Sequence, residues 1–580
     1  MNMTPQVIRR TCAVAEQWPV EMLPLLQRIY AARGCTNIHS ACPRLSQLHH
    51  PASLHTIDTA VRLLTEAITQ QQRILIVGDF DCDGATACAV AVRGLHLFGA
   101  KHVAFAVPNR ISHGYGLSAG FVEDLERFAP DVLITVDHGT NCHAGVAAAK
   151  ARGWKVLVTD HHLPGATLPA ADAVINPNQS QDNFPCKHLA GVGVIFYVLL
   201  ALRAHFLSQG LVTSAKEIDL TKLLDLVAVG TIADLVPFDT TNRALVSAGL
   251  RQIRQGKANC GLRVLMERSL RNKDTVTTAD IAFGIAPVIN AAGRLDDMTL
   301  GIALLVSDDA AKSRHIVDTL LEINQQRKHM QQSMLKEAEQ AVGELFAVED
   351  RRQLPSVICV YDAQWHPGLI GLVASQLLQT YQRPAVAFAP SAPNSPYLRG
   401  SARAGDGRHM RDILALLHMR FPKLMESFGG HAKAAGLTIA QEHLTEFTSA
   451  LQSIVKEYQG ENAQHEHILS DGELSAQELN YAHAQAIRLG GPWGQDFPEP
   501  LFEGTFLVRQ WRVLRERHVQ FSLQHPQSKQ MIKGIHFNGW KGNPPTPYVC
   551  LLYALECDDF QAGSAIQLLI KHVWEAQTPP

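Results

Sequence analysis

A short aspartate-rich segment most constrains what this chain can fold into. It reads RILIVGDFDCDGATAC and spans residues 73–88. The run Ile74–Val77 is apolar and rich in β-branched residues, which is typical of a strand buried on both faces of a parallel sheet. Three alternating aspartates, Asp79, Asp81 and Asp83, follow it. Because carboxylates this close together repel one another, we expect a hard divalent cation among them, with a solvated acidic turn as the alternative.

Two further predicted strands also end in acidic residues. The run VLITV is followed by Asp137, and the run VLVT is followed by Asp160, His161 and His162. Strand-like runs alternate with helical segments here, which predicts a doubly wound parallel sheet whose ligands gather at the carboxyl ends of its strands. Oxygen and imidazole groups in that position would suit a pair of Mn²⁺ or Mg²⁺ ions.

The composition limits the class of protein. At 580 residues the chain is too long for a single core, so we expect several domains. With 46% apolar and 18% charged residues it is globular, and no run approaches the roughly 20 apolar residues of a membrane span. Eleven cysteines without a CxxC pair, and no apolar signal-peptide core, predict a cytoplasmic protein. The formal net charge of -2 gives no overall attraction to nucleic acid, so such binding would depend on local patches.

Two later segments carry polar groups whose role the pattern alone leaves open. Asp234 follows an apolar helix predicted at Leu223–Thr231, and a lone aspartate there is more often a cap or solvated than a ligand. Residues 290–297 read NAAGRLDD, in which small residues permit close backbone approach and Arg294 could meet a phosphate.

The second half predicts a connector and another α/β unit. Apolar positions at helical spacing from Ala310 to Phe346 indicate one long amphipathic helix or two joined ones. A strand at VICVY then begins a second α/β unit that contains Arg399–Arg403 and Gly429–Gly436. Glycines beside serine, arginine and histidine suit a backbone-lined phosphate pocket, although an ordinary turn with surface arginines fits equally well.

The C-terminal part predicts a small β-barrel. Polar residues 457–473 indicate a linker, and short strand-like runs follow between Phe502 and Val573. Basic residues alternate there with aromatic ones, as in a single-strand binding platform, while a charged surface on a structural barrel is the alternative. The residues concerned are Arg509, Arg512, Arg515, Arg517, Lys529 and Lys533, with Phe506, Trp511, Phe521, Phe537 and Trp540.

Six motifs together carry a resemblance to a known family. GDFDCDGATA, VDHG, TDHHLPG, AGVGV, GTIADLVP and NAAGRLDD, in this order and spacing, resemble the DHH phosphoesterase superfamily and, within it, the bacterial RecJ family. The resemblance runs from about Pro24 to the C-terminus. It implies an N-terminal helical extension (1–52), a doubly wound DHH domain (53–305), a long connecting helix (306–350), a second α/β DHH-associated domain (351–458), and a linker with an OB-fold β-barrel (459–580).

The same resemblance implies roles for individual residues. Asp81, Asp83, Asp137, His161 and Asp234 would bind the metals, with Asp79 and Asp160 beside them and His162 facing the scissile phosphate. Arg110, Tyr115, Arg294, Arg399, Ser401, Arg403 and His431 would bind substrate. Cys82 and His138 depart from the family's usual motif. These two differences remove no metal ligand, but they put the preferred metal in doubt.

The implied activity is metal-dependent 5′→3′ exonuclease cleavage of single-stranded DNA to nucleoside 5′-monophosphates, in recombination and repair. Two Mn²⁺ or Mg²⁺ ions would be the cofactors, and single-strand-binding protein and a RecQ-type helicase would be partners. A phosphohydrolase acting on pyrophosphate or short oligonucleotides is the alternative within the superfamily. A non-catalytic replication scaffold is a further alternative, against which the intact ligand set argues.

Overall fold

The structure is a computed structural model that describes residues 6–12, 18–110, 113–346, 355–405, 407–458, 467–559 and 563–576. The middle of the predicted polar linker, 459–466, and the predicted start of the second domain, 351–354, lie outside the described residues.

The first half is built on a five-stranded parallel sheet, which confirms the predicted doubly wound fold. Its strands are β2 (Ile74–Val77), β3 (Val103–Ala106), β4 (Val132–Val136), β5 (Lys155–Thr159) and β6 (Ala173–Ile175); a separate strand, β1 (Gln6–Arg9), precedes them. The order across the sheet is β3-β2-β4-β5-β6, and every pairing is parallel. The three strands with acidic ends are therefore neighbours, and their carboxyl ends meet at one edge.

Helices cover this sheet and continue well beyond it. They are α1 (Pro24–Ala31), α2 (Ile38–Ala41), α3 (Ile57–Thr69), α4 (Cys82–Leu97), α5 (Ala119–Leu125), α6 (His143–Ala151), α7 (Gly191–Ser208), α8 (Leu224–Ala233), α9 (Thr240–Arg254), α10 (Cys260–Ser269), α11 (Thr278–Asp280), α12 (Ala286–Leu295) and α13 (Thr299–Val306). One π-helical turn, Ile281–Ile285, joins α11 to α12. Short 3₁₀ turns lie at Leu45–Gln47, Pro51–Ser53, Glu126–Phe128, Leu220–Leu223 and, in the second domain, Gln441–His443.

Helix α7 is apolar around its whole circumference. By length and composition alone it could cross a membrane. It packs instead against α3, α4 and α8, and most of its side chains lie in the main core. An all-round apolar surface is what the buried central helix of a large domain requires.

The second α/β unit is also confirmed. The connector is one continuous helix, α14 (Ala310–Phe346). Beyond it lie β7 (Ile358–Tyr361), α15 (Ile370–Tyr381), β8 (Ala385–Pro390), β9 (Tyr397–Arg403), α16 (Met410–Arg420), β10 (Ser427–Gly430), β11 (Ala434–Ala440) and α17 (Leu444–Glu457). Its sheet has the order β10-β11-β9-β8-β7, in which the β7–β8 pair is parallel and the rest antiparallel.

The C-terminal part forms the predicted barrel. After β12 (His467–Ser470) and α18 (Tyr481–Gly490), five strands close on one another: β13 (Phe502–Leu514), β14 (His518–Gln524), β15 (Met531–His536), β16 (Tyr548–Cys557) and β17 (Ile566–Glu575).

The N-terminal segment is joined to this C-terminal part. Strand β1 pairs in parallel with β12, whereas the sequence predicted only helices in the extension. Arg33, which follows α1, forms a buried ion pair with Asp471, and its guanidinium lies over the ring of Trp493. The two ends of the chain thus pack as one unit.

Candidate active site

The acidic strand ends form a buried cluster. Asp79, Asp137 and Asp160 follow β2, β4 and β5 and are each no more than 3% exposed. Asp137 adopts a left-handed backbone conformation with φ +65°, which is uncommon for a non-glycine residue. Strained backbone of this kind persists where surrounding structure holds a side chain in one direction, and here it turns the Asp137 carboxylate into the cluster.

The start of α4 adds two carboxylates. Asp81 caps the helix, because its Oδ1 accepts a hydrogen bond from the Gly84 amide at 3.0 Å. Asp83 lies in the first turn, and its two oxygens accept hydrogen bonds from the amides of Gly191 and Val192 at 2.6 and 3.0 Å. These amides begin α7, so a helix N-terminus holds the Asp83 carboxylate. Gly191 is required there, because a Cβ on it would lie 2.5 Å from the Cβ of Asp137.

His161 lies between carboxylates from two different elements. Its Nε2 is 3.0 Å from Oδ1 of Asp137 and 3.6 Å from Oδ2 of Asp234, the residue that ends α8. Neither this Nε2 nor this Oδ1 makes a hydrogen bond within the described part of the chain, although both are buried. Buried donor and acceptor atoms without hydrogen bonds are rare, and two that converge on one point are suited to a shared metal ion.

The donor atoms fall into three overlapping groups with ligand spacing. In each group the atoms lie within 4.8 Å of one another, and the groups are Asp83–His161–Asp234, Asp79–Asp81–Asp137 and Asp137–His161–His162. Carboxylate oxygens with one or two imidazoles suit Mn²⁺ or Mg²⁺, and shared membership of Asp137 would suit two adjacent ions. The residues present therefore fit a two-metal centre. Asp79 and His162 lie within reach of it, in addition to the five ligands that the sequence implied.

Without bound cations, burial and mutual repulsion disfavour the ionised form of the carboxylates in this cluster. Burial, followed by the charge of Asp81, raises the pKa of Asp79 to about 8 and that of Asp83 to about 7. The pKa values of Asp137 and Asp234 are raised well above the ordinary range, first by burial and then by neighbouring carboxylates. A group of acids in this state favours either protonation or a divalent cation.

This electrostatic situation predicts how metal binding depends on pH. The folded-state pKa values of Asp79 and Asp83 exceed their ordinary value of about 4. The protonated carboxyls therefore make their full contribution to the free energy of unfolding below about pH 4. This contribution is lost as pH rises through about 7 and 8, where the two groups ionise. Metal binding needs the deprotonated carboxylates, so cations restore stability mainly at high pH. In thermal unfolding we expect the rise in Tm on adding Mn²⁺ to be larger at about pH 8.5 than at about pH 6. An equal rise in Tm at the two pH values would contradict the conclusion that these carboxyls are protonated at the lower pH and bind metal at the higher one.

Asp160 and His162 form a separate charged pair beside the ligands. Oδ1 of Asp160 accepts a hydrogen bond from Nδ1 of His162 at 2.8 Å. Burial alone would lower the pKa of His162, but this hydrogen bond and the charge of Asp160 raise it to about 9. Burial likewise favours a high pKa for Asp160, and His162 reverses that effect to hold the pKa below its ordinary value. This raised pKa favours the protonated form of His162 in the metal-free protein, where it presents a cation beside the cluster.

The two departures from the family pattern lie outside the donor groups. His138 is fully buried, and its Nε2 is 3.1 Å from the carbonyl oxygen of Val77. Burial lowers its pKa to about 4, so it is a neutral ring that joins β4 to β2. The amide of Cys82 donates to Oδ1 of Asn290 at 2.8 Å, and its side chain is buried. Both residues support the ligands and are absent from the donor groups.

A cleft separates this cluster from the second α/β unit. It has a volume of about 880 Å³ and is lined by both units, including Asp160 and His162 on one side and Ser401 and His431 on the other. The rings of His162 and His431 stack across it, with centroids 6.1 Å apart. Tyr115 is half exposed in the same cleft, and its hydroxyl lies 3.4 Å from the ring nitrogens of His162.

The far wall of the cleft comes largely from strand β9, and Gly429, Gly430 and Gly436 of the predicted glycine-rich pocket also line the cleft. Arg399, Ser401 and Arg403 alternate with buried residues along β9, so they share one face of the sheet. Nη1 of Arg403 donates to Ser401 Oγ at 2.9 Å, and its Nε donates to Ser375 Oγ at 3.2 Å. Arg399 donates to the carbonyl of Arg110 at 2.9 Å and so links the two units.

Four arginines from four parts of the chain converge here, namely Arg110, Arg294, Arg327 and Arg403. Burial, and then repulsion from Arg110 and Arg327, lowers the pKa of Arg294 to about 10. Burial, and then Arg110, lowers the pKa of Arg403. Within the described ranges, none of these four guanidiniums forms an ion pair with a carboxylate. Guanidiniums that lie near one another without a direct carboxylate partner are suited to binding an anion.

Arg327 was missed by the sequence analysis. It lies on α14, where Asn324 and Gln331 accept hydrogen bonds from its guanidinium at 3.0 Å each. The sequence does contain a sign of it. Apolar residues recur every three or four positions along this helix, but the turn between Ile323 and Met330 has none. Arg327 occupies this turn, and its charge acts on Arg294 of the neighbouring helix α12.

Three family models match separate parts of this chain. They are described as "DHH family, N-terminal domain" over residues 73–231, "DHHA1 domain" over 354–457 and "RecJ OB domain" over 470–572. These ranges correspond to the parallel sheet, the second α/β unit and the barrel.

Relatives of known function are similar over the whole chain. The single-stranded-DNA-specific exonuclease RecJ of Salmonella typhimurium is 40% identical over 580 residues, which are 99% of this chain and 100% of the relative. The chain belongs to the RecJ family. The RecJ of Thermus thermophilus is more distant, at 33% identity over 526 residues, which cover 90% of this chain and 70% of that one.

Solved RecJ structures have the same fold and contain metal. Thermus thermophilus RecJ in complex with Mn²⁺ matches with a TM-score of 0.78 at 28% identity, covering 98% of this chain and 80% of that chain. An exonuclease RecJ bound to manganese matches with a TM-score of 0.57 at 34% identity, covering 70% and 95%. Mn²⁺ and Mg²⁺ complexes of the Thermus protein agree with the donor set found here.

Proposed function

We propose that this protein is a metal-dependent exonuclease that degrades single-stranded DNA from its 5′ end and releases nucleoside 5′-monophosphates. The observation that carries the proposal is the arrangement of the cleft. Asp160 and His162, which adjoin the donor cluster, line one wall of the cleft, and Arg399, Ser401 and Arg411 line the other. Arg403 lies directly behind Ser401, to which it donates a hydrogen bond. Such a cleft holds a phosphodiester at the donor cluster while a second phosphate occupies the cationic pocket.

Each group in the donor cluster has a defined task. Asp81, Asp83, Asp137, His161 and Asp234 would hold the cations, with Asp79 within reach of the same site. Two bound divalent cations supply Lewis acidity and activation of water for phosphodiester hydrolysis. His162, held protonated by Asp160, contributes positive charge where negative charge develops on the phosphoryl group.

The cationic pocket accounts for the proposed 5′ polarity. Arg403 with Ser401 from the second unit, and Arg110 from the loop after β3, would grip the terminal phosphate one nucleotide away from the metals. Arg110 lies over the ring of Phe80 at 4.8 Å, so its guanidinium is held in place beside the donor cluster. A fixed anion pocket one nucleotide from the metals would hold the strand end in place, so that each cycle of hydrolysis would release one nucleotide. Tyr115, Arg294, Arg399 and His431 would line the path of the same nucleotide.

The barrel supplies affinity for longer strands. A groove of about 590 Å³ on its surface includes Trp511 and Arg512, and the Trp511 ring stacks on Trp540 with centroids 5.6 Å apart. Two of the aromatic residues predicted for this platform, Phe506 and Phe521, lie in the barrel core instead. The reason is strand alternation, which points these side chains inward.

The remaining predicted residues on the barrel differ in how well they suit strand binding. Lys533 donates to the buried carboxylate of Asp558 at 2.9 Å, so part of its charge is neutralised. Phe537 is 58% exposed and Trp511 is 38% exposed, so both rings can meet a base.

We expect Trp511→Ala to weaken binding of long single strands by about 5- to 100-fold, because one stacked base contributes roughly 1–3 kcal/mol. The value of kcat should stay unchanged, since the groove holds none of the donor groups. Phe421→Ala, which removes an exposed aromatic ring from the C-terminal end of α16 in the second unit, is the matched control. Fluorescence anisotropy with a labelled strand measures the Kd, and unchanged affinity in the Trp511 variant would contradict the role of the groove.

The experiment that tests the proposed function compares substrates under one set of conditions. Purified protein with Mn²⁺ is given single-stranded DNA, the corresponding blunt duplex, a dinucleotide and pyrophosphate, and released nucleotide or phosphate is measured. We expect rapid nucleotide release from single-stranded DNA alone, and none with chelator. Preferred hydrolysis of pyrophosphate or the dinucleotide would favour a small-substrate phosphohydrolase, and no hydrolysis at all would favour a scaffold.

Repair and recombination in the cytoplasm are the setting that we propose for this activity. Single-strand-binding protein and a RecQ-type helicase are the proposed partners, because an enzyme specific for single strands needs another protein to expose its substrate.

A further inference from the structure

A line of partly buried residues leads from the anion pocket along α12 and ends at one exposed residue in the π-helical turn that precedes this helix. Phe283, Pro287, Asn290 and Arg294 are incompletely buried, whereas almost every residue between them is buried. Their spacing of four, three and four residues places them on one helical face. Asn290 contacts the Cys82 amide and Arg294 belongs to the cationic cluster, so this face adjoins the metal site. Phe283 lies about 16 Å further along the helix axis, at 1.5 Å per residue.

Phe283 is conspicuous on this face. Its side chain is 84% exposed, which is more than Phe537 or Phe421. It lies in the π-helical turn Ile281–Ile285. Turns of this kind are rare and occur frequently at functional sites, because the extra residue reorients a side chain. An aromatic ring presented to solvent in an ordered helix has no structural explanation here.

The other end of this surface adjoins the segment that leads to the barrel. Thr278 Oγ1 donates to the carbonyl of Trp493 at 2.7 Å, and the Phe238 amide donates to the carbonyl of Gln495 at 2.8 Å. Phe238 lies four residues after the donor residue Asp234, and the intervening Leu235 is 68% exposed with φ +59°. Two chain segments therefore run from the metal site to the segment that precedes the barrel, and each exposes one large apolar side chain.

We propose that Phe283 is a base-stacking residue for the incoming single strand, placed between the barrel groove and the metal site, with Leu235 packing beside the same strand. This rests on the proposed function. Every base has an apolar face, so an exposed ring accepts any sequence, as an exonuclease without sequence preference requires. The position also fits a strand whose end is already fixed in the anion pocket, because the ring meets a base a few nucleotides behind that end.

The test places an abasic site at each of the first roughly eight nucleotides of a 5′-phosphorylated strand. Binding is measured by anisotropy in EDTA, so that no strand is hydrolysed. In the unaltered protein we expect one position, a few nucleotides from the 5′ end, at which the abasic site weakens binding by about 5- to 100-fold. Phe283→Ala should weaken binding of the intact strand by the same factor and should be insensitive to the abasic site at that position. Phe283→Trp should restore both properties.

Two comparisons separate this inference from its alternatives. Met419→Ala removes an equally conspicuous side chain, 71% exposed, from the second unit and should bind like the unaltered protein. If Phe283→Ala binds strands normally, or loses affinity equally at every abasic position, the ring does not stack on a base and the inference is wrong. A failure of the proposed function is distinguishable from this, because the unaltered protein would then neither bind nor degrade single-stranded DNA.

Discussion

Replacing Asp137 by asparagine should lower nucleotide release at saturating Mn²⁺ by about 10³-fold or more. The carboxylate belongs to two of the three donor groups, so its loss affects both proposed metal positions. Metal-ion stabilisation of a phosphoryl transition state is worth several kcal/mol, and each 1.36 kcal/mol is a factor of ten in rate. Asparagine is preferred to alanine because it tolerates the left-handed conformation at φ +65°.

The fold should survive this substitution. Asp137 repels the neighbouring carboxylates and is buried, so a neutral amide relieves a destabilising interaction in the metal-free protein. We expect the Tm without metal to be equal or higher, and the rise in Tm on adding Mn²⁺ to be smaller. Asp225→Asn is the matched control, since Asp225 is a fully buried acid outside the donor groups. Turnover near that of the unaltered protein in the Asp137 variant would show that the assignment is wrong.

Arg403→Ala should distinguish strands by the chemistry of their 5′ end. The guanidinium is oriented by Ser401 and Ser375, and no carboxylate neutralises it within the described residues. Losing a hydrogen bond to a charged group costs roughly 1.5–3 kcal/mol, or about 10- to 100-fold, when the partner is a phosphate. We therefore expect that loss in kcat/KM on 5′-phosphorylated strands and a much smaller one on 5′-hydroxyl strands.

The control for Arg403 is Arg420→Ala, which removes a guanidinium paired with Glu457 on the surface of the same unit. It should leave both substrates unaffected, because surface ion pairs contribute little. Metal-induced stabilisation should be unchanged in both variants. Equal losses on the two substrates would show that Arg403 serves the general backbone path rather than the terminal phosphate.

Local sequence pattern was enough to predict the sheet and the place of the cluster. The strands are continuous apolar runs, and parallel topology by itself brings their carboxyl ends together. The start of α4 was less predictable. The sequence placed it at Ala85, three residues late, because the Asp81 side chain caps the helix and draws Cys82 into its first turn.

Features that depend on distant contacts could not be predicted from local pattern. Asp234 resembles a helix cap until α8 is packed beside His161, so only the family resemblance identified it. Strand β1 acquires its partner β12 from the other end of the chain. On the barrel, composition placed Phe506 and Phe521 on the surface, whereas the period of two along each strand places them in the core.

The central claim is that the metal site removes nucleotides from the 5′ end of a single strand, and one measurement tests it most directly. A single-stranded oligonucleotide carrying a 5′-terminal label, and the same oligonucleotide labelled at its 3′ end, are each digested with Mn²⁺ while products are followed in time. We predict that the 5′ label appears at once as a mononucleotide, while the 3′ label passes through a descending ladder of fragments. The reverse order would contradict the polarity, and internal fragments from both strands would contradict exonuclease action altogether.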